Sequence, residues 1–352
     1  MVKLGFCLVM AIQISLHLFC WLYNLITYHS LMDFKTKATA ALYGSIIGDA
    51  LGVPVESLSR KELSLSAVKN MLGYGRYNLP AGTWSDDSSM ILCTMDALCN
   101  EYDVEALGAI FRAWLYEGIW TPYGYAFDVG LTTYMALETI SHETTARTSG
   151  RTTEDDNGNG SLMRMLPAVL WFHRYETETF MARVHEISAI THAHPRSLVG
   201  CGIYAMLVRE LLFQNDKNMA FRVAIDNAMA YYSGYDGFKN ELNHFSRILS
   251  RNLPLLEESD INSSGYIVDT LEACIWCLLR YDDTKSIIMS AVNLGIDTDT
   301  TGSIAGGLAG LTYGLNSIPG EWLNALARKK DIDILIDRFI IASASVTPES
   351  GQ

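Results

Sequence analysis

The chain is short of positive charge. Its 352 residues carry 26 lysines and arginines against 39 aspartates and glutamates, a formal net charge of −13. A surface of that sign repels phosphate backbones, so nucleic-acid binding is not expected. Cysteine is sparse and unpatterned. The seven, at positions 7, 20, 93, 99, 201, 274 and 277, are odd in number and lack small-domain spacing, which argues against a disulfide framework. Cys274 and Cys277 form a CxxC, but they lie in an apolar helical pattern without a second Cys or His pair and read as core. Alternating strand patterns are scarce, and neither a GxGxxG nor βαβ spacing appears. The chain shows no internal repeat and no clean domain break.

What is present is apolar and helical. Hydrophobic residues make up 49% and charged residues 18%, enough for a large core and too apolar for disorder. Residues 4–26 are uncharged and long enough to cross a bilayer. No A-x-A-like cleavage site clearly follows them. They read as a possible anchor or as a mis-assigned start, because "MDFKTKATAALYGS" from Met32 resembles a soluble N-terminus. The expected organisation is a hydrophobic extension over 1–31, one domain over 32–340 and a tail over 341–352. Cytoplasmic location is expected, with membrane anchoring through 4–26 as the alternative. Ala38, Leu42, Ile46 and Asp49 share one face of a first helix. Another helix opens at Ser85, which can cap it. Further helices are expected near 129–140, 161–175, 178–190, 196–213, 218–232, 238–249, 265–281, 284–294, 300–313 and 320–329.

Several carboxylates sit where apolar residues would be expected. Asp49 shares the buried face of its helix, so it needs a cation or strong donors such as a helix N-terminus. Glu56, past Pro54 in "GVPVES", has an apolar setting that could raise its pKa and suit it to proton transfer. "GTWSDDSSM" places Asp86 and Asp87 at a helix start among Thr83, Ser85, Ser88 and Ser89. Macrodipole compensation would explain the acids alone, but the hydroxyls make an all-oxygen shell of the kind hard cations prefer. "GIDTDTTGS" puts Asp297, Asp299 and Thr300 on a turn into a helix whose glycines 302, 306, 307 and 310 permit close approach. Two such stretches suggest one shared centre holding a pair of divalent ions. "DDNGNGSLMRMLP" is an asparagine–glycine loop whose amides could cradle a pyrophosphate. In "THAHPRS", His192 could donate to a ligand, whereas His194 before Pro195 suits a turn cap.

Together these stretches resemble the ADP-ribosylglycohydrolases, relatives of dinitrogenase reductase-activating glycohydrolase. The match runs through "GSIIGDALGVPVE", "GTWSDDSSM", "GYAFDVGLTT", "DDNGNGSLMRMLP", "THAHP" and "LGIDTDTTGSIAGGLAGLTYG", over roughly residues 35–330 in the same order and spacing. The resemblance implies an all-α fold, a single compact multi-helix domain, with two divalent cations, Mg²⁺ or Mn²⁺. By motif position the metal ligands would be Ser85, Asp86, Asp87, Asp297, Asp299 and Thr300. Ser85 stands where the family often has threonine, and Ile296 where it usually has glycine. Glu56 matches the glutamate near the scissile bond. Asn157, Gly158, Asn159, Gly160 and Ser161 match the diphosphate loop, and Asp128 and His192 match cleft-lining positions. The implied activity is release of ADP-ribose from an ADP-ribosylated protein or small molecule by cleavage of an N- or O-glycosidic bond. Two alternatives remain open: an ADP-ribose-binding relative without turnover, and a DxDxT-type phosphatase. The second requires the "DTDTT" motif to end a buried strand.

Overall fold

The computed structural model describes residues 33–100, 102–140 and 144–346; the extension 1–31, as anchor or as misassigned start, lies outside them. Among the described residues there is no strand, only isolated bridges such as Gly158 to Tyr266. The all-α expectation holds. Local chemistry sets the helix starts: Ser85, Asp103, His194, Asp216 and Asp283 each accept a hydrogen bond from an amide in the first turn they precede.

The first helix, α1, is Asp33–Val55, ending in a 3-10 turn at Val53–Val55. The longer helices that follow are α2 (Asp86–Leu98), α3 (Val104–Glu117), α4 (Leu131–Thr139), α5 (Leu166–Phe172) and α6 (Thr177–Ala189). Then come α7 (Pro195–Phe213), α8 (Lys217–Ser233), α9 (Ile267–Arg280), α10 (Thr284–Asn293), α11 (Thr298–Tyr313) and α12 (Lys329–Ser345). From Lys37 onward the described helices form one compact unit. By length and composition α1 is apolar enough to cross a membrane, yet residues 40–55 are all buried within the unit, as in a core helix.

The axis of the fold is α11. Every residue from Thr298 to Leu311 is buried, and the helix packs on α2, α7, α9 and α10. Its contact with α1 is backbone against backbone. Gly44, Gly48 and Gly52 recur every fourth residue on one face of α1 and meet Gly306, Gly302 and the start of α11. A Cβ on Gly48 would stand 1.9 Å from the Gly302 carbonyl oxygen, and one on Gly44 2.1 Å from that of Gly306. Only glycine fits either side of this seam.

Three features differ from the sequence reading. Helix α3 was not expected, although Asp103 caps it and Gly118, at φ +70°, ends it. The helix expected over 238–249 is instead three short turns, Asp236–Lys239, Glu241–Phe245 and Ser246–Leu249. The last helix runs to Ser345, into the stretch assigned to the tail. The segment before "DTDTT" is helix α10, so the phosphatase alternative lacks the strand it needs.

Gly48→Ala and Gly302→Ala should each cost about 3 kcal/mol or more, because the added methyl meets backbone that cannot yield. Gly237→Ala, with nothing within 4 Å of the new methyl, should leave stability unchanged or raise it. Urea denaturation of the three variants checks this; equal midpoints would refute the seam.

Candidate active site

The site begins where α1 ends. Asp49 is fully buried and accepts from the amides of Ser85 and Ser88, both at 3.0 Å, and from the Ser88 hydroxyl. Its charge is met by the N-terminus of α2, one of the two partners its sequence position called for. Burial still outweighs these donors and pushes its carboxyl up to about 6. Glu56 follows the 3-10 turn. Its Oε2 accepts from the Thr298 amide at 2.9 Å and the Thr298 hydroxyl at 3.2 Å. The turn is fastened to the start of α11 by two main-chain bonds, Ser57 N to Ile296 O at 2.8 Å and Ile296 N to Leu58 O at 2.7 Å. Ser57 (φ +67°) and Ile296 (φ +66°) are both left-handed, a conformation that costs a non-glycine residue about 1–2 kcal/mol.

The two acidic stretches meet. The Thr300 hydroxyl donates to Asp87 Oδ2 at 3.1 Å, across 213 positions of sequence. Ser85 Oγ lies 3.4 Å from the same oxygen and caps the Asp87 amide. Asp86 takes the Gly130 amide. Carboxylate oxygens of Glu56, Asp297 and Asp299 all lie within 4.8 Å of one another. Asp87 Oδ1 is buried and has no hydrogen-bond partner among the described residues. Burial and mutual repulsion push the carboxyls of Asp86, Asp87 and Asp299 well above the usual range and raise that of Asp297. Burial and the Asp297 charge raise Glu56 to about 7.

These groups floor a cleft of about 350 Å³. Its lining includes Glu56, Asp86, Asp128, Asp297, Asp299 and Thr300, with Gly158, Asn159, Gly160 and His192. Asn159 joins the glycine loop to the acids, its Nδ2 donating to Asp297 Oδ2 at 2.6 Å and to Thr270 Oγ1 at 2.9 Å. Gly160 is required by close approach: a Cβ there would stand 2.8 Å from Thr133 Oγ1 and 3.0 Å from His192 Cε1. Asp128, at φ +59°, is held by the Tyr77 hydroxyl. His192 is 2% exposed, and burial lowers its pKa to about 3.

Four of the site residues implied by the family resemblance, Ser85, Asp87, Asn157 and Ser161, do not line the cleft. Ser85 and Asp87 join the acidic centre through the hydrogen bonds described above. The Asn157 amide donates to Glu154 O and its oxygen accepts from Ser197 Oγ. Ser161 Oγ bonds Ser188 Oγ at 2.9 Å, inside the core. His194 caps α7 by accepting from the Arg196 amide at 3.1 Å. Cys274 and Cys277 are free buried thiols on Thr301 O and Ser290 Oγ. Sequence reasoning passed over Thr298, which clamps Glu56 although it sits inside the quoted motif. It also passed over Arg164, which is fully buried and lies inside the quoted "DDNGNGSLMRMLP".

The ADP-ribosylglycohydrolase family model matches residues 30–349. The chain belongs to that family. The ADP-ribosylarginine hydrolase Tri1 of Serratia proteamaculans is 30% identical over 315 residues, covering 86% of this chain and 78% of that protein. The ADP-ribosyl-[dinitrogen reductase] glycohydrolase of Rhodospirillum rubrum is 31% identical over 308 residues, covering 85% of this chain and 92% of that protein. A solved ADP-ribosylglycohydrolase-related protein superposes with a TM-score of 0.73 at 28% identity, covering 89% of this chain and 99% of that one. Family membership makes this chain a glycoside hydrolase by class. Ile296 occupies a left-handed position that glycine adopts without strain.

Ile296 is 46% exposed, so little burial is lost on truncation. Ile296→Gly should raise stability by about 1 kcal/mol through relief of backbone strain. A lower urea midpoint for that variant would show that the isoleucine packs favourably enough to offset the strain.

Proposed function

We propose that the protein is a metal-dependent hydrolase that cleaves the glycosidic bond of ADP-ribosylated protein and releases ADP-ribose. Arginine-linked ADP-ribose is the substrate to test first, because hydrolases named for it are among the relatives at 30% identity. The carrying observation is the single cleft in which Glu56 meets Asp297 and Asp299, and in which Asn159 ties the glycine loop to Asp297. The work belongs to residues 32–340 and takes place in the cytoplasm.

The donor set fits hard divalent cations. It consists of oxygens alone, it is crowded with negative charge, and one of its buried oxygens, Asp87 Oδ1, has no hydrogen-bond partner among the described residues. Two Mg²⁺ or Mn²⁺ ions held by Ser85, Asp86, Asp87, Asp297, Asp299 and Thr300 would supply orientation of the distal ribose and control of charge around it. The chain's own residues do the rest. The Gly158–Gly160 loop and His192 bind the diphosphate, and Asp128 borders the ribose end. Glycosidic cleavage builds oxocarbenium character at the anomeric carbon, which nearby carboxylates favour. Glu56, its Oε2 fixed by Thr298, transfers the proton between leaving group and water.

Glu56→Gln should bind ADP-ribose normally and lose about 10²–10⁴-fold in kcat. Turnover of ADP-ribosylarginine near the wild-type rate would remove Glu56 from the chemistry. Cation-free protein should lose stability as pH rises from about 4 toward 7. Asp49 and Glu56 are raised to about 6 and about 7 in the folded chain, so they bind protons that the unfolded chain has already released near its usual pKa of about 4. Added Mn²⁺ should raise Tm, more at pH 8 than at pH 5.5, since protons compete for the same oxygens. Asp87→Asn should abolish that rise. Calorimetry with and without chelator checks each, and a Tm indifferent to Mn²⁺ at pH 8 would sink the cation reading.

A further inference from the structure

Arg164 is fully buried, and its donors go to neutral acceptors: Nη1 to Gly160 O at 2.9 Å, Nη2 to Thr191 Oγ1 at 2.7 Å and to Ile187 O at 3.3 Å. Nε has no hydrogen-bond partner among the described residues, and the guanidinium lies 4.7 Å from the centre of the Phe111 ring. Burying a cation away from a carboxylate costs several kcal/mol, so the informative question is what its donors order. Gly160 and His192 line the cleft, and the fully buried Thr191 lies behind His192.

Thr191 Oγ1 stands 2.7 Å from Arg164 Nη2 and 2.7 Å from His192 Nδ1. A guanidinium only donates, so the hydroxyl accepts from Arg164. Thr191 is fully buried, and among the described residues His192 Nδ1 is the one acceptor within reach of the hydroxyl's own proton. A proton on Nδ1 would strand that hydroxyl hydrogen in the core, at a cost of about 1–3 kcal/mol. Nδ1 therefore accepts, and the single ring proton sits on Nε2. Nε2 makes no hydrogen bond among the described residues, and His192 lines the cleft beside Gly158 and Gly160.

We infer that Arg164, acting through Thr191, is a positioning residue that fixes His192 as an Nε2–H donor to the diphosphate oxygens of the ligand. The identity of the ligand rests on the function proposed above; the tautomer does not. Burial and the Arg164 charge keep the ring neutral, so the relay sets which nitrogen donates and not whether the ring is charged.

The test is long-range ¹H–¹⁵N correlation spectroscopy on the full chain with ¹⁵N-labelled histidine, free of ligand. Wild type should show Nε2 protonated and Nδ1 bare. Thr191→Val should give a tautomer mixture, and Thr191→Ser should restore the wild-type pattern. The Kd for ADP-ribose should rise about tenfold in Thr191→Val and not in Thr191→Ser. A wild-type Nδ1–H tautomer, or an unchanged spectrum in Thr191→Val, overturns the relay, and the wild-type spectrum decides the tautomer even if that variant does not fold. An altered tautomer with unchanged Kd overturns the assignment of Nε2–H to the ligand. A wild-type Nε2–H tautomer in a protein that binds no ADP-ribose supports the relay and overturns the function proposed above.

Discussion

The contact on which the site depends is the glycine seam between α1 and α11. Backbones this close leave no room for side chains, so the two helices lock in one register. That register carries Asp49 to the first turn of α2 and sets Glu56 against the Thr298 amide. Glycine inside a helix costs about 0.5–1 kcal/mol relative to alanine. The chain accepts that cost repeatedly along both helices, and what it gains is placement.

Placement matters because the centre works against folding. Asp49, Glu56, Asp86, Asp87, Asp297 and Asp299 crowd a poorly solvated floor, and desolvation is the leading cause of the raised pKa in each. Asp49 has the α2 amides for compensation. The remaining carboxylates share a few hydroxyls and amides, which do not cancel their repulsion. A core built from helices such as α9 and α11 carries this unfavourable region, as expected where function and stability disagree.

Much of this was legible in the residues. Helical periodicity and the scarcity of alternation gave the fold class, because an amphipathic helix writes its burial into the chain every three or four positions. The acidic stretches stood out because carboxylates in apolar surroundings require a partner. Less visible was anything decided by tertiary contact. Asp49 and Asp87 look alike in sequence, yet one is consumed by a helix N-terminus and the other keeps an oxygen free. Arg164 carries no mark of its burial beyond the motif around it. The need for glycine in α1 is not visible locally, since the partner that makes it necessary lies some 250 positions away. Helix α3 carries its end signals in Asp103 and Gly118, which mark it only when taken together.

The seam joins one end of the domain to the other. Residues 44–52 and 298–310, which meet across it, are far apart along the chain. Until the second segment docks on the first, α1 has an open glycine face, Glu56 lacks its Thr298 clamp, and Asp87 lacks the Thr300 hydroxyl. Long-range closures of this kind fold slowly and last. A fold in which the two segments have not met therefore lacks the floor of the cleft as well as the seam, because the same contact builds both.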